Sequence, residues 1–561
     1  MSITERLTDG VRTALASAGL PEPPACVWEV PRQPEHGDYA TNAAMTLARA
    51  AGKPPRQIAE LIVKHFPSLP EVERLEVAGP GFLNVFLAPA WCAQALREIL
   101  VAGERYGRGD GERGRRVRLE FVSANPTGPL GIVNARAAAV GDALARLLRS
   151  QGARVTTEYY VNDAGSQFEK LARSLEARVR QCFGEEASIP EGGYTGDYIV
   201  ELALTYLDAH GTRPGGARPA ALDLPDPERV EHFGRWAVTY YVEQQRTVLR
   251  DYGVEFDAWT SEQRDVRDRG LAEKVLDELA ARGLSYAKDG ALWFRSSEVG
   301  DDAGDDKDRV LRRSSGEVTY FGVDVAYHHH VKFADADRVI NLFGPDHHGY
   351  VPRLRAAMQA LGHPPEAFEV LIVQLVTLLR DGQPVRMSKR RGELVLMDEL
   401  LEEVGRDAAR FTFLTRRHDS PLEFDLAVAT RQSSENPVYY VQYAHARIQS
   451  IGKQVAEQGI VVPPLAETDL SPLTAPEEQA LVKRLLQYPE IVRGAAKALE
   501  PHRVAYFLTE LAAAFHPYYK NHRVIQDDRR LMFARLALCA AVARVVRNGL
   551  DLLGVAAPET M

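Results

Sequence analysis

The feature that most constrains the fold is a strand–turn–helix unit that begins near residue 117. Val117, Leu119 and Phe121 alternate along the chain, which is the period of a β-strand. Turn residues follow, and an Ala/Leu-rich helix is predicted over about 134–149. A Gly/Pro turn at such a junction exposes backbone N–H groups at the helix N-terminus, where a phosphate is favoured. A purely structural turn would give the same pattern, so the unit predicts an α/β core without fixing its ligand.

Amino-acid composition and charge exclude some classes of protein for this chain. The 561 residues hold 45% hydrophobic and 26% charged side chains, which is typical of a folded globular protein. The length predicts three or four domains. Acidic residues outnumber basic ones by 77 to 68, which argues against a protein that coats nucleic acid by bulk charge. Residues 436–561 differ, with 14 basic and 12 acidic side chains, so the acidic excess lies in the first 435 residues.

The spacing of the cysteines and the length of the apolar runs indicate the cellular compartment to expect. The chain contains four widely separated cysteines, Cys26, Cys92, Cys182 and Cys539. This spacing gives no zinc motif and makes a disulfide scaffold improbable. The N-terminal residues carry charges where a signal peptide needs an apolar core. The best apolar run, 370–379, is too short for a membrane span. We expect a soluble, cytoplasmic protein with no membrane partner.

Changes in pattern along the chain predict three parts. Residues 1–105 read as a small α/β module, residues 106–424 as a large α/β core with insertions, and residues 425–561 as a helical domain. In the first part, helices are predicted over 42–51 and 55–65, and a strand-like stretch over 75–87 is broken at 79–81. The Pro/Gly-rich stretch 211–227 predicts a surface insertion or hinge. The run 370–379 predicts one buried strand. The helical part is expected to break at 461–464 and at Pro517.

Two polar segments follow apolar runs of the central part. The segment 386–392 reads RMSKRRG, and its clustered cations favour an anionic partner, although a solvated basic loop gives the same pattern. The segment 344–350 reads GPDHHGY and follows a largely apolar run, so it predicts a polar cluster at the end of a strand. Its adjacent histidines lack the spacing of helix-borne metal ligands. The three histidines at 328–330 predict a polar helix or strand face.

The C-terminal part carries two segments in which aromatic and cationic side chains alternate. They are 439–447, which contains Tyr443 and Arg447, and 515–523, which contains Tyr519 and Arg523. Such a mixture suits stacking on unpaired bases while phosphates are held. Aromatic residues at helical spacing also occur commonly in a core, so both interpretations stay open.

Taken together and in this order, these segments resemble the arginyl-tRNA synthetase family of class I aminoacyl-tRNA synthetases. The resemblance covers nearly the whole chain. It rests on the motifs at 37–40, 79–84, 120–129, 158–165, 304–309, 319–324, 346–350, 386–390 and 436–447. It implies a Rossmann-type catalytic core, an N-terminal module that grips the tRNA elbow and a helical anticodon-binding domain. The implied reaction is the ATP-dependent activation of L-arginine to arginyl-adenylate and its transfer to tRNA(Arg).

The resemblance also implies roles for individual residues. Glu120 and Asn125 would hold the amino and carboxylate ends of arginine, and Tyr320 and Asp324 would lie in the guanidinium pocket. A carboxylate there fits the planar guanidinium bidentately.

For ATP the family implies a second set of residues, which are Arg386, Ser388, Lys389, Asn134, Asp346 and His347. Lys389 would stabilise the pentavalent phosphate, supported by Arg386 and Ser388. Contacts to tRNA are implied for Tyr443, Arg447, Tyr519 and Arg523. Mg²⁺ would accompany ATP as substrate. No protein-bound zinc is implied, and a monomer is expected.

The chain departs from the family at one motif. The family carries a HIGH-type tetrapeptide, commonly His-Ile-Gly-His or His-Ile-Gly-Asn, where this chain reads Gly131-Ile132-Val133-Asn134. The missing His normally donates to the ATP phosphates, and the missing Gly lets adenine lie against the backbone. Loss of a preorganised donor costs roughly 3–4 kcal/mol, on the order of 10²–10³ in rate. Those two roles are therefore not assigned to Gly131 and Val133.

Two hypotheses follow from this departure. In the first, the protein is a working but slowed arginine–tRNA ligase in which Asn134 and Lys389 bind and stabilise the ATP phosphates. In the second, it is an inactive synthetase that still binds tRNA or arginine. The motifs outside the tetrapeptide look intact, which favours the first hypothesis.

Overall fold

The structure is a computed structural model that describes residues 3–31, 33–299, 307–385 and 395–561. Its strands are β1 (Trp28–Glu29), β2 (Tyr39–Thr41), β3 (Val72–Ala78), β4 (Phe82–Leu87), β5 (Arg116–Glu120), β6 (Arg154–Val161), β7 (Ala258–Ser261), β8 (Ser285–Lys288), β9 (Ala291–Phe294), β10 (Arg309–Arg312), β11 (Arg338–Phe343), β12 (Phe368–Ile372), β13 (Val376–Arg380), β14 (Gln383–Pro384) and β15 (Leu422–Asp425).

The helices before β7 are α1 (Ile3–Ser17), α2 (Ala43–Ala51), α3 (Pro55–His65), α4 (Pro89–Ala102), α5 (Ile132–Ser150), α6 (Gly165–Gln181), α7 (Asp197–Ala209) and α8 (Asp226–Asp251). The remaining helices are α9 (Leu271–Ala281), α10 (Tyr320–Ala326), α11 (Val351–Ala360), α12 (Met397–Val404), α13 (Arg406–Phe413), α14 (Leu426–Thr430), α15 (Pro437–Glu457), α16 (Pro476–Ala498), α17 (His502–Asn521) and α18 (Arg529–Leu552).

The N-terminal part combines an antiparallel sheet with helices. Strands β1 to β4 pair in the order β1-β2-β4-β3, and helices α1, α2 and α3 bury their apolar faces in one small core. The two predicted helices at 42–51 and 55–65 are confirmed within one residue. The predicted strand over 75–87 is a hairpin, because the segment 79–81 turns the chain between β3 and β4.

The centre of the molecule is a five-stranded parallel sheet in the order β12-β11-β5-β6-β7. The chain builds β5, β6 and β7 toward one edge, then returns to place β11 on the other side of β5. The strand order therefore reverses between β5 and β11, which is where an open α/β sheet binds its ligands. The predicted Rossmann-type α/β core is confirmed. The helix after β5, predicted over 134–149, extends slightly further as α5.

The prediction of one buried strand at 370–379 is wrong in a specific way. The segment forms two strands, β12 and β13, which belong to different sheets, and most of their residues are only half-buried. β12 completes the parallel sheet, whereas β13 pairs with β14 and β15. Three residues lie between the two strands, and Gln374 is the one polar residue among them.

The C-terminal part is wholly helical after α14, as predicted. α15, α16, α17 and α18 pack against one another, and the chain leaves helical structure at 461–464 as expected. The break predicted at Pro517 is wrong, because α17 continues through it to Asn521. The tertiary packing of α17 thus outweighs the roughly 3 kcal/mol that an interior proline costs a helix.

The stretch 211–227 lies at the surface between α7 and α8, where it forms a loop with one short helical turn. No helix in the described part of the chain is long and apolar enough to cross a membrane.

Candidate active site

A cavity of about 610 Å³ opens at the point where the strand order reverses. Its floor comes from the carboxyl ends of β5 and β11, and its wall comes from α10 and the start of α6. Five of the residues predicted from the sequence line it, which are Glu120, Asn125, Tyr320, Asp324 and His347. The structure thus brings together side chains that lie more than 200 residues apart in the chain.

The turn that leaves β5 at the cavity is strained. Val122 has a φ of 70° and Ser123 a φ of 40°, and the Ser123 N–H donates to the Phe121 carbonyl at 3.0 Å. A β-branched residue at positive φ is unfavourable, and such strain clusters at binding sites. The Ser123 hydroxyl accepts from the Tyr160 backbone N–H at 3.1 Å, which ties the turn to β6. The unusual turn holds the backbone of Ala124 and Asn125 at the cavity.

Glu120 is the last residue of β5 and is held in place by a buried polar network. The Lys332 ammonium is fully buried and donates to one Glu120 carboxylate oxygen. Lys332 also donates to Asn341 Oδ1 at 2.7 Å and lies 3.1 Å from His328 Nε2. A buried ion pair of this kind needs such additional hydrogen bonds to offset desolvation. The network fixes the orientation of Glu120 and leaves its second oxygen for a ligand.

Asp324, from α10, supplies a second carboxylate to the lining of the cavity. Burial alone would raise the pKa of Asp324, yet its pKa is lowered because His328, a hydrogen bond from Tyr350 and the Lys332 charge favour the carboxylate form. His328 Nδ1 lies 3.1 Å from an Asp324 carboxylate oxygen. Asp324 is therefore ionised at neutral pH, and a cationic group in the cavity meets a negative charge.

Tyr320 closes the cavity on the side of α6. Its hydroxyl lies 3.5 Å from the Ser166 hydroxyl, and its ring is partly exposed. Gly165 has a φ of +73°, and a Cβ there would lie 3.1 Å from the Tyr320 hydroxyl. A larger residue at 165 would be strained and would crowd Tyr320.

Several cavity residues were not predicted as site residues. Glu262 is buried, accepts from the Tyr160 hydroxyl at 2.9 Å and is held by Arg267 at 2.7 Å. Tyr160 belongs to a motif that the family resemblance had already marked, so its proximity could have been anticipated. Glu262 lies after β7 in a segment without a motif, and only the tertiary structure shows it.

The altered tetrapeptide begins α5 and lies beside residues 395–397. The Asn134 Oδ1 atom accepts from the Gly131 N–H at 2.9 Å and caps the helix. The Ile132 N–H donates to the Val395 carbonyl at 3.2 Å, and the Met397 N–H donates to the Leu130 carbonyl at 2.8 Å. The start of α5 is therefore joined to the chain at residues 395–397.

Of the other residues predicted to bind ATP, some do not line the cavity and some lie outside the described residues. Asn134 and Asp346 are not among the residues that line the cavity, and Asp346 has a side chain 78% exposed. Residues Arg386, Ser388 and Lys389 lie outside the described residues. Their predicted roles therefore stay predictions.

One buried arginine ties the start of α5 to two distant loops. Arg136 is fully buried and donates to the carbonyls of Gln374, Leu375, Arg417 and Ser420 at 2.8–3.3 Å. Burial lowers the pKa of Arg136 to about 10, so it is still charged at neutral pH. These bonds fix the loop between β12 and β13 against α5.

The helical part presents aromatic and cationic side chains on neighbouring helices. The Arg447 guanidinium lies 4.4 Å from the Tyr443 ring centroid and 4.7 Å from that of Tyr519. Tyr443 stacks on His516 with the ring centroids 5.9 Å apart, and all four side chains are half-buried. We call these four residues the aromatic patch. Arg523 is exposed beyond the end of α17.

Comparison with known proteins covers all three parts of the chain. Residues 5–87 match the family description "Arginyl tRNA synthetase N terminal domain", residues 95–419 match "tRNA synthetases class I (R), catalytic domain", and residues 441–561 match "DALR anticodon binding domain".

Individual relatives agree with these matches. The arginine–tRNA ligase of Syntrophotalea carbinolica is 48% identical over 95% of this chain and 94% of its own length. That of Symbiobacterium thermophilum is 45% identical over 100% of this chain and 98% of its own. The structure of arginyl-tRNA synthetase from Thermus thermophilus superposes with a TM-score of 0.77, at 25% identity and full coverage of both chains. With its acidic cavity at the sheet's switch point and these matches from end to end, the chain belongs to the arginyl-tRNA synthetase family.

Proposed function

We propose that this chain activates L-arginine with ATP and transfers it to tRNA(Arg), at a rate reduced by its altered tetrapeptide. The observation that carries the proposal is that Glu120 and Asp324 both line one cavity at the carboxyl ends of β5 and β11. Two carboxylates in one cavity, Glu120 buried and Asp324 half-buried, complement a ligand with two separated cationic groups, and arginine has its α-ammonium and its guanidinium.

The chemistry of the cavity assigns each group a task. Asp324, kept ionised by its neighbours, would accept from the guanidinium of arginine, and Tyr320 would cover it. The free oxygen of Glu120 would accept from the α-ammonium. The arginine carboxylate would then point toward the start of α5, where ATP and its Mg²⁺ are proposed to bind. Adenylate forms when that carboxylate attacks the α-phosphate and pyrophosphate leaves, with Lys389 proposed to stabilise the developing charge.

The tetrapeptide gives the first test. We expect the double substitution Gly131→His/Val133→Gly to raise the arginylation rate on the order of 10²-fold. The histidine restores a hydrogen-bond donor to the ATP phosphates, and the glycine lets adenine lie against the backbone. A Cβ added at Gly131 would lie no closer than 3.8 Å to a neighbouring atom, so a larger side chain can start there without a clash. The measurement is charging of total tRNA with labelled arginine.

The control for this experiment is Gly131→Ala, which changes the same position without adding a donor. Equal rates for the unaltered chain and the double variant would overturn the proposed impairment. An unaltered chain that forms no arginyl-tRNA but retains tRNA on a filter would instead support the inactive, binding-only hypothesis.

The aromatic patch gives a second test. We propose that it contacts the anticodon arm, because stacked rings with an embedded guanidinium can receive unpaired bases and a phosphate. Arg447→Ala is expected to weaken tRNA binding about tenfold, since the loss of one base-stacking or cation–π contact costs roughly 1–3 kcal/mol. Filter binding of tRNA(Arg) measures this.

A matched control lies on the same helix. Lys453 is exposed on α15 but points to a different face, so Lys453→Ala removes one positive charge without touching the patch. Equal weakening by the two variants would show that bulk charge, rather than the patch, governs binding. Adenylate formation measured with saturating tRNA is expected to be unchanged in both variants.

The remaining expectations also stand as proposals. We keep the division into 1–105, 106–424 and 425–561, which is supported by where the three family matches fall. Contacts of Arg523 with tRNA, action as a monomer and action in the cytoplasm are proposed on the family resemblance alone.

A further inference from the structure

A cluster of imidazole and carboxylate groups lies outside the active-site cavity. The chain after α10 forms a π-helical turn, Tyr327–Lys332, that faces α9. From this turn His329 and His330 meet Glu278 of α9. One potential ligand atom from each of the three side chains lies within 4.8 Å of the other two. The sequence predicts only a polar face for these histidines, and His329 and His330 do not line the active-site cavity.

The distances within the cluster suit a small metal ion. The His329 Nε2 atom lies 3.1 Å from Glu278 Oε2, and the His330 Nε2 atom lies 3.5 Å from Glu278 Oε1. A tetrahedral Zn²⁺ with bonds of about 2.0–2.1 Å separates neighbouring ligand atoms by roughly 3.3 Å. The spacing of the carboxylate from both imidazoles already falls near that value.

One atom of the cluster lacks a partner in the described structure. The Nε2 atom of His330 is buried and makes no hydrogen bond. An unsatisfied buried polar atom costs roughly 1–3 kcal/mol. A metal ion would satisfy this atom.

A fourth residue orients one of the ligands. His329 Nδ1 lies 2.8 Å from His363 Nε2, so the ring nitrogen that would not bind the ion is already hydrogen-bonded. His363 in turn stacks on Phe333, with ring centroids 3.8 Å apart. Metal-binding histidines characteristically donate their second N–H to such a partner, which fixes the tautomer and the ring orientation.

We propose that Glu278, His329 and His330 form a binding site for a divalent transition metal ion of the Zn²⁺ class, with His363 as the positioning residue of His329. One carboxylate and two imidazoles leave a fourth position for water, which is a common arrangement for Zn²⁺. The nearby cations Arg269, Lys274 and Arg282 oppose the ion, so the single carboxylate of Glu278 is essential to the charge balance. The proposal stands against the sequence-based expectation of no protein-bound zinc.

The proposed metal site shares its π-helical turn with two residues that support the active site. The same π-helical turn carries His328 and Lys332, which hold Asp324 and Glu120 from below. A metal ion between the turn and α9 would fix the turn from its other side. Such turns are rare and occur frequently at functional sites.

The test uses Co²⁺ as a spectroscopic substitute for Zn²⁺ on the full chain after removal of metal by a chelator. We expect one equivalent of Co²⁺ to give the visible absorption band of a tetrahedral site, and Zn²⁺ to abolish it by displacement. Because this titration needs no variant, it is independent of any effect of a substitution on folding. The absence of a saturable one-to-one band would overturn the proposal.

Variants then locate the ion. Glu278→Gln and His330→Ala are each expected to weaken Co²⁺ binding at least tenfold, and His363→Ala roughly 10–100-fold, because orienting partners have effects of that size. The matched control is His36→Ala, which removes an exposed histidine in the N-terminal part. Co²⁺ affinity that is unchanged in both Glu278→Gln and His330→Ala would place the ion elsewhere and overturn the assignment. The result is independent of arginylation, so it stands or fails separately from the proposed function.

Discussion

Replacing Asp324 with asparagine is expected to lower kcat/KM for arginine by about a thousandfold. The variant keeps the size of the side chain but removes the charge that the guanidinium would meet in a cavity screened from water. Removing one member of a buried, hydrogen-bonded charge pair costs roughly 2–5 kcal/mol, and about 4 kcal/mol corresponds to a factor of a thousand. Most of the loss should appear as a higher KM for arginine, because the contact is made in the ground state as well as the transition state.

The measurement is the arginine-dependent rate of tRNA charging, with citrulline as a competing ligand. Citrulline has a neutral ureido group in place of the guanidinium, so the preference for arginine over citrulline should collapse in Asp324→Asn. The KM for ATP and the affinity for tRNA should change little. Asp277→Asn, an exposed change on α9, is the matched control. An Asp324→Asn enzyme that still discriminates fully between the two amino acids would show that another group binds the guanidinium.

Replacing Arg136 with methionine is expected to produce the largest loss of stability among single substitutions of α5. Four charge-assisted hydrogen bonds, to the carbonyls at 374, 375, 417 and 420, would be lost together, and only the carbonyls at 375 and 417 also accept from a backbone N–H in the described structure. If each costs about 1 kcal/mol or more, the total reaches roughly 4 kcal/mol, which is exceptional for a point change. The temperature of the first unfolding transition should fall clearly, and charging activity should fall with it because α5 and the β12–β13 loop lose their alignment.

The matched control for this experiment is Arg149→Met on the same helix. Arg149 is about half-exposed and pairs with Asp257 at 2.8 Å, and such surface pairs contribute little, typically below 1 kcal/mol. Arg136→Lys keeps the positive charge but cannot reach four carbonyls at once, so it should recover only part of the stability. An Arg136→Met protein as stable as Arg149→Met would mean that the loops are held by other contacts.

The sequence predicted the parts of this fold whose signals are local. The alternation at Val117, Leu119 and Phe121 places β5, and the Ala/Leu-rich run after it gives α5, because period 2 and period 3.6 are set by the backbone alone. The same reasoning failed at 370–379 and at Pro517. In the first case two short strands in different sheets look like one apolar run. In the second, packing with α15, α16 and α18 keeps a helix intact around a proline.

Candidate site residues were predictable to the extent that a motif carried them. Glu120, Asn125, Tyr320, Asp324 and His347 came from family motifs, and the structure gathers all five at one cavity. Glu262 lacked a motif and was missed. Lys332 was missed as well, because nothing in a run of histidines and apolar residues indicates that an ammonium will be buried beneath a carboxylate 212 residues away.

What the sequence by itself determined is the family, the alternating α/β character of the core and the departure at Gly131 and Val133. These depend on residue identity and local period, which folding does not change. Only the tertiary structure decided that Asp324 and Glu120 line one cavity, that Arg136 joins four carbonyls and that Glu278 meets His329 and His330. Each of these contacts joins elements that are distant in the chain. The first exists because the crossovers of a parallel sheet bring distant residues to one edge, and the other two exist because helices and loops pack together in the folded chain.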